Sequence, residues 1–76
     1  MMERKTWLLL TFYTTAGAMK WEKICKEKNL PGRLIPVPRS ITADCGLAWR
    51  CEISLKERLQ SLASDVDVEN WYEIEL

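Results

Sequence analysis

The sequence predicts an α+β domain built on a four-stranded antiparallel sheet, and three observations carry that prediction. A run from Thr6 to Tyr13 is apolar on both faces, as a central strand should be. Two later segments carry apolar residues at helical spacing, and the stretches between and after them alternate with the period of a strand. The resulting order is strand, helix, strand, strand, helix, strand. With 76 residues the chain suits one domain, residues 1–76. A domain of that size buries only about 60 to 65% of its unfolded surface, and four Trp help to fill so small a core.

In the first strand Leu8, Leu10 and Phe12 share one face, and Trp7, Leu9 and Tyr13 make the other face apolar as well. Thr14 or Thr15 caps a helix that runs to about Lys28, with Gly17, Trp21, Ile24 and Cys25 along one side. Asn29-Leu30-Pro31-Gly32 stops it, because Asn tolerates the left-handed cap conformation and Pro cannot continue a helix. Arg33 to Pro38 reads as a second strand. Its two prolines remove ladder donors and place it at a sheet edge.

Leu47 to Ile53 alternates as a third strand, with Leu47, Trp49, Cys51 and Ile53 toward the core and Ala48, Arg50 and Glu52 on the other face. Ser54 and Glu57 are spaced as a capping box for a second helix, on which Leu55, Leu59, Leu62 and Ala63 form an apolar stripe ending near Ser64. Asp65 to Asn70 reads as a polar turn. Trp71 to Leu76 is a last strand in which Tyr72, Ile74 and Leu76 alternate with Glu73 and Glu75.

This order is that of the ferredoxin-like βαββαβ arrangement, with the first and third strands central and two helices on one face of the sheet. The other face is then open. Trp7, Leu9, Tyr13 and Ala48, with Trp71 beside them, would form an apolar patch there, the expected interface of a homodimer or of a docked partner.

Composition excludes several functions. Eleven basic and eleven acidic residues cancel, so no positive field favours nucleic acid, and the basic-aromatic signature of an RNA-binding sheet is missing. There is no histidine, hence no Cys-His nucleophilic pair, and three cysteines spaced twenty and then six positions apart fit neither a zinc knuckle nor a disulfide framework. No glycine-rich phosphate loop and no bound cofactor are expected. Glu3-Arg4-Lys5, the apolar run and Ala16-Gly17-Ala18 imitate a secretory signal. Against that reading, the run is short, contains Thr11, and is the strand best suited to the sheet centre. It also falls far below the roughly 20 residues that span a bilayer. The expectation is a cytoplasmic protein with reduced thiols and no membrane contact.

The candidate site lies in the connection between the second and third strands, Pro36-Val37-Pro38-Arg39-Ser40-Ile41-Thr42-Ala43-Asp44-Cys45-Gly46. A thiolate forms most easily at an exposed site beside a cation, so Cys45 with Arg39 is the reactive candidate. Gly46 would let a backbone N–H approach a sulfur or a bound anion, and Ser40 and Thr42 would add hydroxyl donors. Asp44 opposes this by raising a neighbouring thiol's pKa. The competing reading makes Cys45 a small residue in a tight turn. Cys51 and Cys25 fall on core faces and read as packed small hydrophobes.

Pro-Val-Pro-Arg, five residues and Cys-Gly-Leu-Ala, with the Leu-Leu-Thr-Phe-Tyr strand before and Tyr-Glu-Ile after, resemble the small bacterial proteins of the selenium/sulfur carrier protein-like family. The resemblance implies that Cys45 and Arg39 match that family's cysteine and arginine. It further implies a carrier that holds sulfur or selenium on Cys45 as a persulfide or selenosulfide, working between donor and acceptor proteins rather than turning over a substrate as an enzyme. The alternative is a non-catalytic interaction module that docks through its open sheet.

Overall fold

The fold is described from a computed structural model, over residues 5–41, 43, 46–63, 66 and 68–75. It is α+β, a four-stranded antiparallel sheet with two helices. The strands are β1 (Thr6–Phe12), β2 (Arg33–Pro36), β3 (Leu47–Glu52) and β4 (Val68–Glu75), and the helices are α1 (Thr15–Glu27) and α2 (Lys56–Leu62). Strand order across the sheet is β2-β3-β1-β4, so β1 and β3 are central and the proline-bearing β2 is an edge. A 3-10 turn, Ile53–Leu55, stands between β3 and α2.

Every residue of β1 from Leu8 to Phe12 is fully buried, which explains why this strand is apolar on both sides. Leu8, Leu10 and Phe12 join Trp49 and Cys51 of β3 beneath Ala18, Trp21 and Cys25 of α1 and Leu59 of α2. Both helices therefore cover the same face. Phe12 and Trp71 each make a ring contact with Trp21, and Trp71 meets it edge-on at 6.5 Å and 86°.

The first helix starts and stops as its sequence dictates. The Thr14 hydroxyl accepts the Gly17 N–H at 3.0 Å, capping the N-terminus. At the other end Asn29 adopts φ 56°, Leu30 N–H donates to Cys25 C=O at 2.8 Å, and Asn29 N–H donates to Lys26 C=O at 3.2 Å. That pair of bonds is a Schellman stop, with buried Leu30 and Cys25 supplying its hydrophobic contact. The chain then passes through Gly32, where a methyl group would stand 2.6 Å from Cε2 and 2.8 Å from Nε1 of the buried Trp49 indole.

Four expectations are corrected. Ser54 does not cap α2: it lies inside the 3-10 turn, and the residue at the N-cap position, Leu55, is helical and makes no side-chain cap bond. A capping serine needs extended backbone, and here the chain is already coiled from Ile53. β2 ends at Pro36, with one more bond from Val37 N–H to Gly46 C=O at 3.1 Å. β4 begins at Val68 within the expected turn, and a register shift opposite Thr11/Phe12 accommodates the early start. Trp71 pairs with Leu10 and so lies on the helix face, which leaves Tyr72 and Ile74, opposite Leu9 and Trp7, on the other face.

That other face is not an open apolar patch. Leu9, Thr11 and Ala48 are each fully buried within the single chain. Leu9 is flanked across the strands by Arg50 and Tyr72. Trp7 is half-buried, with the Arg50 guanidinium 4.4 Å and the Lys5 ammonium 4.7 Å from its ring centroid. Among the described residues the large exposed hydrophobics are Tyr13, just past the end of β1, and Met19 on α1.

Two stability outcomes follow from this packing. Leu9→Ala should lower unfolding free energy in urea by about 2 to 5 kcal/mol, and Leu9→Lys should unfold the protein rather than dissociate an oligomer. Gly32→Ala should cost about 1 to 3 kcal/mol because Trp49 has no room to yield, and the same urea titration measures it.

Candidate functional site

Gly46, at one end of the candidate segment, lies at the end of the sheet where β1 stops and α1 begins. Thr11 pairs with Ala48, so the last residues of β1 and the first of β3 lie together, and the Thr14 cap is three residues further on. The first turn of α1 holds no acidic side chain, so the partial positive charge of its N-terminus is not offset from within the helix. Gly46, the residue before β3, is exposed at this end, and its carbonyl is engaged by Val37 N–H.

The connection from β2 starts with a turn closed by Ile41 N–H to Pro38 C=O at 3.0 Å. Arg39 and Ser40 occupy its two corners and are exposed. Among the described residues neither is held by an ion pair or a side-chain hydrogen bond. Thr42, Asp44 and Cys45 lie outside the described residues. Gly46 is not a close-approach glycine within this chain, since a methyl group there would meet nothing within 4 Å.

The remaining thiols belong to the core. Cys25 is fully buried on α1 and Cys51 is nearly so on β3, and both are free. Burial pushes the Cys25 thiol up to about 11, with nearby Cys51 adding to the rise. Burial likewise pushes Cys51 up to about 11, against a downward pull from the Trp49 indole and with a further upward push from the Glu52 carboxylate. Both are therefore protonated and inert near neutral pH, as packed hydrophobes should be. No group of three His, Cys, Asp or Glu able to hold a metal occurs among the described residues, and no helix there is long and apolar enough to cross a membrane.

A third feature escaped the sequence reading. A cleft of about 220 Å³ opens beside β3, lined by Trp7, Gly32, Arg33, Arg50 and Glu52 among others. The two arginines sit seventeen positions apart in sequence, and only the β2–β3 register makes Arg33 the direct partner of Arg50. Alternation had already put Arg50 on the face away from the helices; nothing short of the pairing could add Arg33 to it.

The described residues thus form a small α+β domain with two sealed core thiols and an exposed arginine turn at the start of the β2–β3 connection. A family model described as "Putative Se/S carrier protein-like" matches residues 8–73, and the chain belongs to that family. No curated protein and no solved structure matches it.

The buried thiols give the protein an alkaline limit. Unfolded cysteine ionises near about 8.5, whereas Cys25 and Cys51 hold their protons to about 11 in the fold. Between those values the unfolded state binds fewer protons, so stability is full below about pH 8.5 and falls as pH rises toward 11, by on the order of 2 kcal/mol per thiol. Urea midpoints at pH 8 and about pH 10 should show the fall, and Cys25→Ala should reduce its slope.

Proposed function

We propose that the protein is a sulfur or selenium carrier that holds the atom on Cys45 as a persulfide or selenosulfide, working in the cytoplasm between a donor and an acceptor protein and without a bound cofactor. The observation that carries this reading is the family match across residues 8–73, taken with the burial of the other two cysteines. Cys25 and Cys51 are protonated and enclosed, which leaves Cys45 as the thiol able to serve. The strand order β2-β3-β1-β4, with β1 and β3 central, supports a ferredoxin-like frame for it.

Loading is a thiol exchange that needs no external oxidant. The Cys45 thiolate attacks the outer sulfur of a donor persulfide, a new S–S bond forms at Cys45, and the donor S–S bond breaks with its electron pair leaving on the donor thiolate. Unloading reverses the roles: an acceptor thiolate takes the terminal sulfur and Cys45 departs as thiolate. Selenium follows the same course through an S–Se bond. A thiolate in such a step is favoured by nearby positive charge, for which Arg39 on its exposed turn, and the N-terminus of α1 at the same end of the sheet as Gly46, with no acidic side chain in its first turn, are available sources. Ser40, Thr42 and the Gly46 N–H are proposed to contact the bound atom. Nucleic acid is not a proposed partner, since net charge is zero.

The test is the intact mass after incubation with a cysteine desulfurase and cysteine, without reductant. The wild type should gain one sulfur atom mapped to Cys45, Cys45→Ser should gain none, and Cys25→Ser should still gain it. Arg39→Gln should slow alkylation of Cys45 by several-fold near neutral pH. Absence of the adduct, or its mapping to Cys25 or Cys51, would sink the reading.

A further inference from the structure

The cleft beside β3 lies where the sheet edge is incomplete. β3 continues through Glu52, but β2 begins only at Arg33, opposite Arg50, so Cys51 and Glu52 have partners in β1 and none in β2. The edge is notched there. The notch is the cleft of about 220 Å³, and Arg33 and Arg50 stand across from each other at its side.

Like charges directly opposite in a sheet destabilise it, and a structure normally answers them with a carboxylate. Here it does not. The ion pairs among the described residues join Lys5 to Glu52, Lys26 to Glu22 and Lys56 to Glu73, so no described carboxylate neutralises either arginine and the described carboxylate lining the cleft is taken by Lys5. Arg50 is also held in place: its guanidinium lies 4.4 Å from the Trp7 ring centroid, a stacking contact that fixes the group and makes no use of its N–H donors. Arg33 is exposed and Arg50 half-buried, so the pair faces the notch from a wet and a drier side.

We propose that this notch binds a tetrahedral oxyanion of the phosphate class, free or as the terminal group of a phosphate monoester, between the forks of Arg33 and Arg50. Guanidinium groups match such oxygens with paired N–H donors, and two of them balance a dianion, whereas a carboxylate would occupy one fork and leave the other charge unanswered. The cross-strand pair, unneutralised among the described residues, is the observation that ranks this cleft above the one beside α2, whose cations Lys28 and Arg58 are not held opposite each other by a strand register.

The experiment is thermal unfolding of the full chain with inorganic phosphate, phosphoserine, acetate or chloride, each at the same ionic strength. Inorganic phosphate should raise Tm saturably by several degrees at concentrations roughly ten times half-saturation. Arg33→Gln, an exposed edge change, should raise the half-saturating concentration about tenfold, and Arg58→Gln on α2 should leave it unchanged. A response to phosphate alone assigns the site to a free oxyanion, and a response to phosphoserine as well extends it to monoesters. Equal shifts with acetate or chloride, or an undiminished phosphate shift in Arg33→Gln, would overturn the proposal. As a second readout, saturable phosphate titration should move the Trp7 indole resonance in wild type and not in Arg33→Gln, even if Arg50→Gln proves too unstable to study.

Discussion

The structure depends on burying both faces of one strand. From Leu8 to Phe12 no residue of β1 reaches solvent, so the strand is committed to packing under two helices on one side and under flanking side chains on the other. A small domain has little apolar surface to spare, and placing its most apolar strand at the centre uses that strand twice. The consequence runs outward: β3 and β4 must take registers that set Trp49, Cys51 and Trp71 with Leu8 and Leu10, and Ala48 and Tyr72 with Leu9. The edge positions of β2 and β4 follow from that pairing.

Much of this was legible because local chemistry and tertiary need agree. Thr14 caps, Asn29 turns left-handed, Pro36 marks an edge, and the alternation of Leu47 to Cys51 separates core from surface, each for a reason contained in a few neighbouring residues. The misreadings occur where the deciding partner is distant. Ser54 and Glu57 have the spacing of a capping box, but the chain leaving β3 coils at once, and backbone bonds of the 3-10 turn replace the serine. Trp71 and Tyr72 are both aromatic, so alternation alone leaves the face of β4 ambiguous by one residue; the pairing of Leu10 with Trp71 resolves it.

The thiols show the same division at the level of chemistry. Sequence alternation put Cys51 on a core face and helical spacing put Cys25 on another, and the packing turns that placement into thiols held up to about 11 by burial. The arginine turn at Arg39 and the carbonyl bond at Gly46 bracket the segment that contains Cys45, the proposed carrier residue, which itself lies outside the described residues. The arginine pair at the notch was illegible for a different reason. Charge counts see Arg33 and Arg50 as two of eleven cations in a neutral chain, and only cross-strand register turns them into a local excess.

The two edges of the sheet also differ in how they treat a neighbouring molecule. β2 is four residues long, ends in Pro36, and is followed by Pro38, so it offers few N–H donors to an added strand. β4 is twice as long and free of proline, but it carries Glu69, Glu73 and Glu75. Unpaired strand edges are templates for sheet extension, the first step toward fibrils and inclusion bodies, and short length, proline and charge are the ways a chain discourages it. At concentrations where other small sheet proteins aggregate, one edge here is blunted by its backbone and the other by the charged side chains it carries.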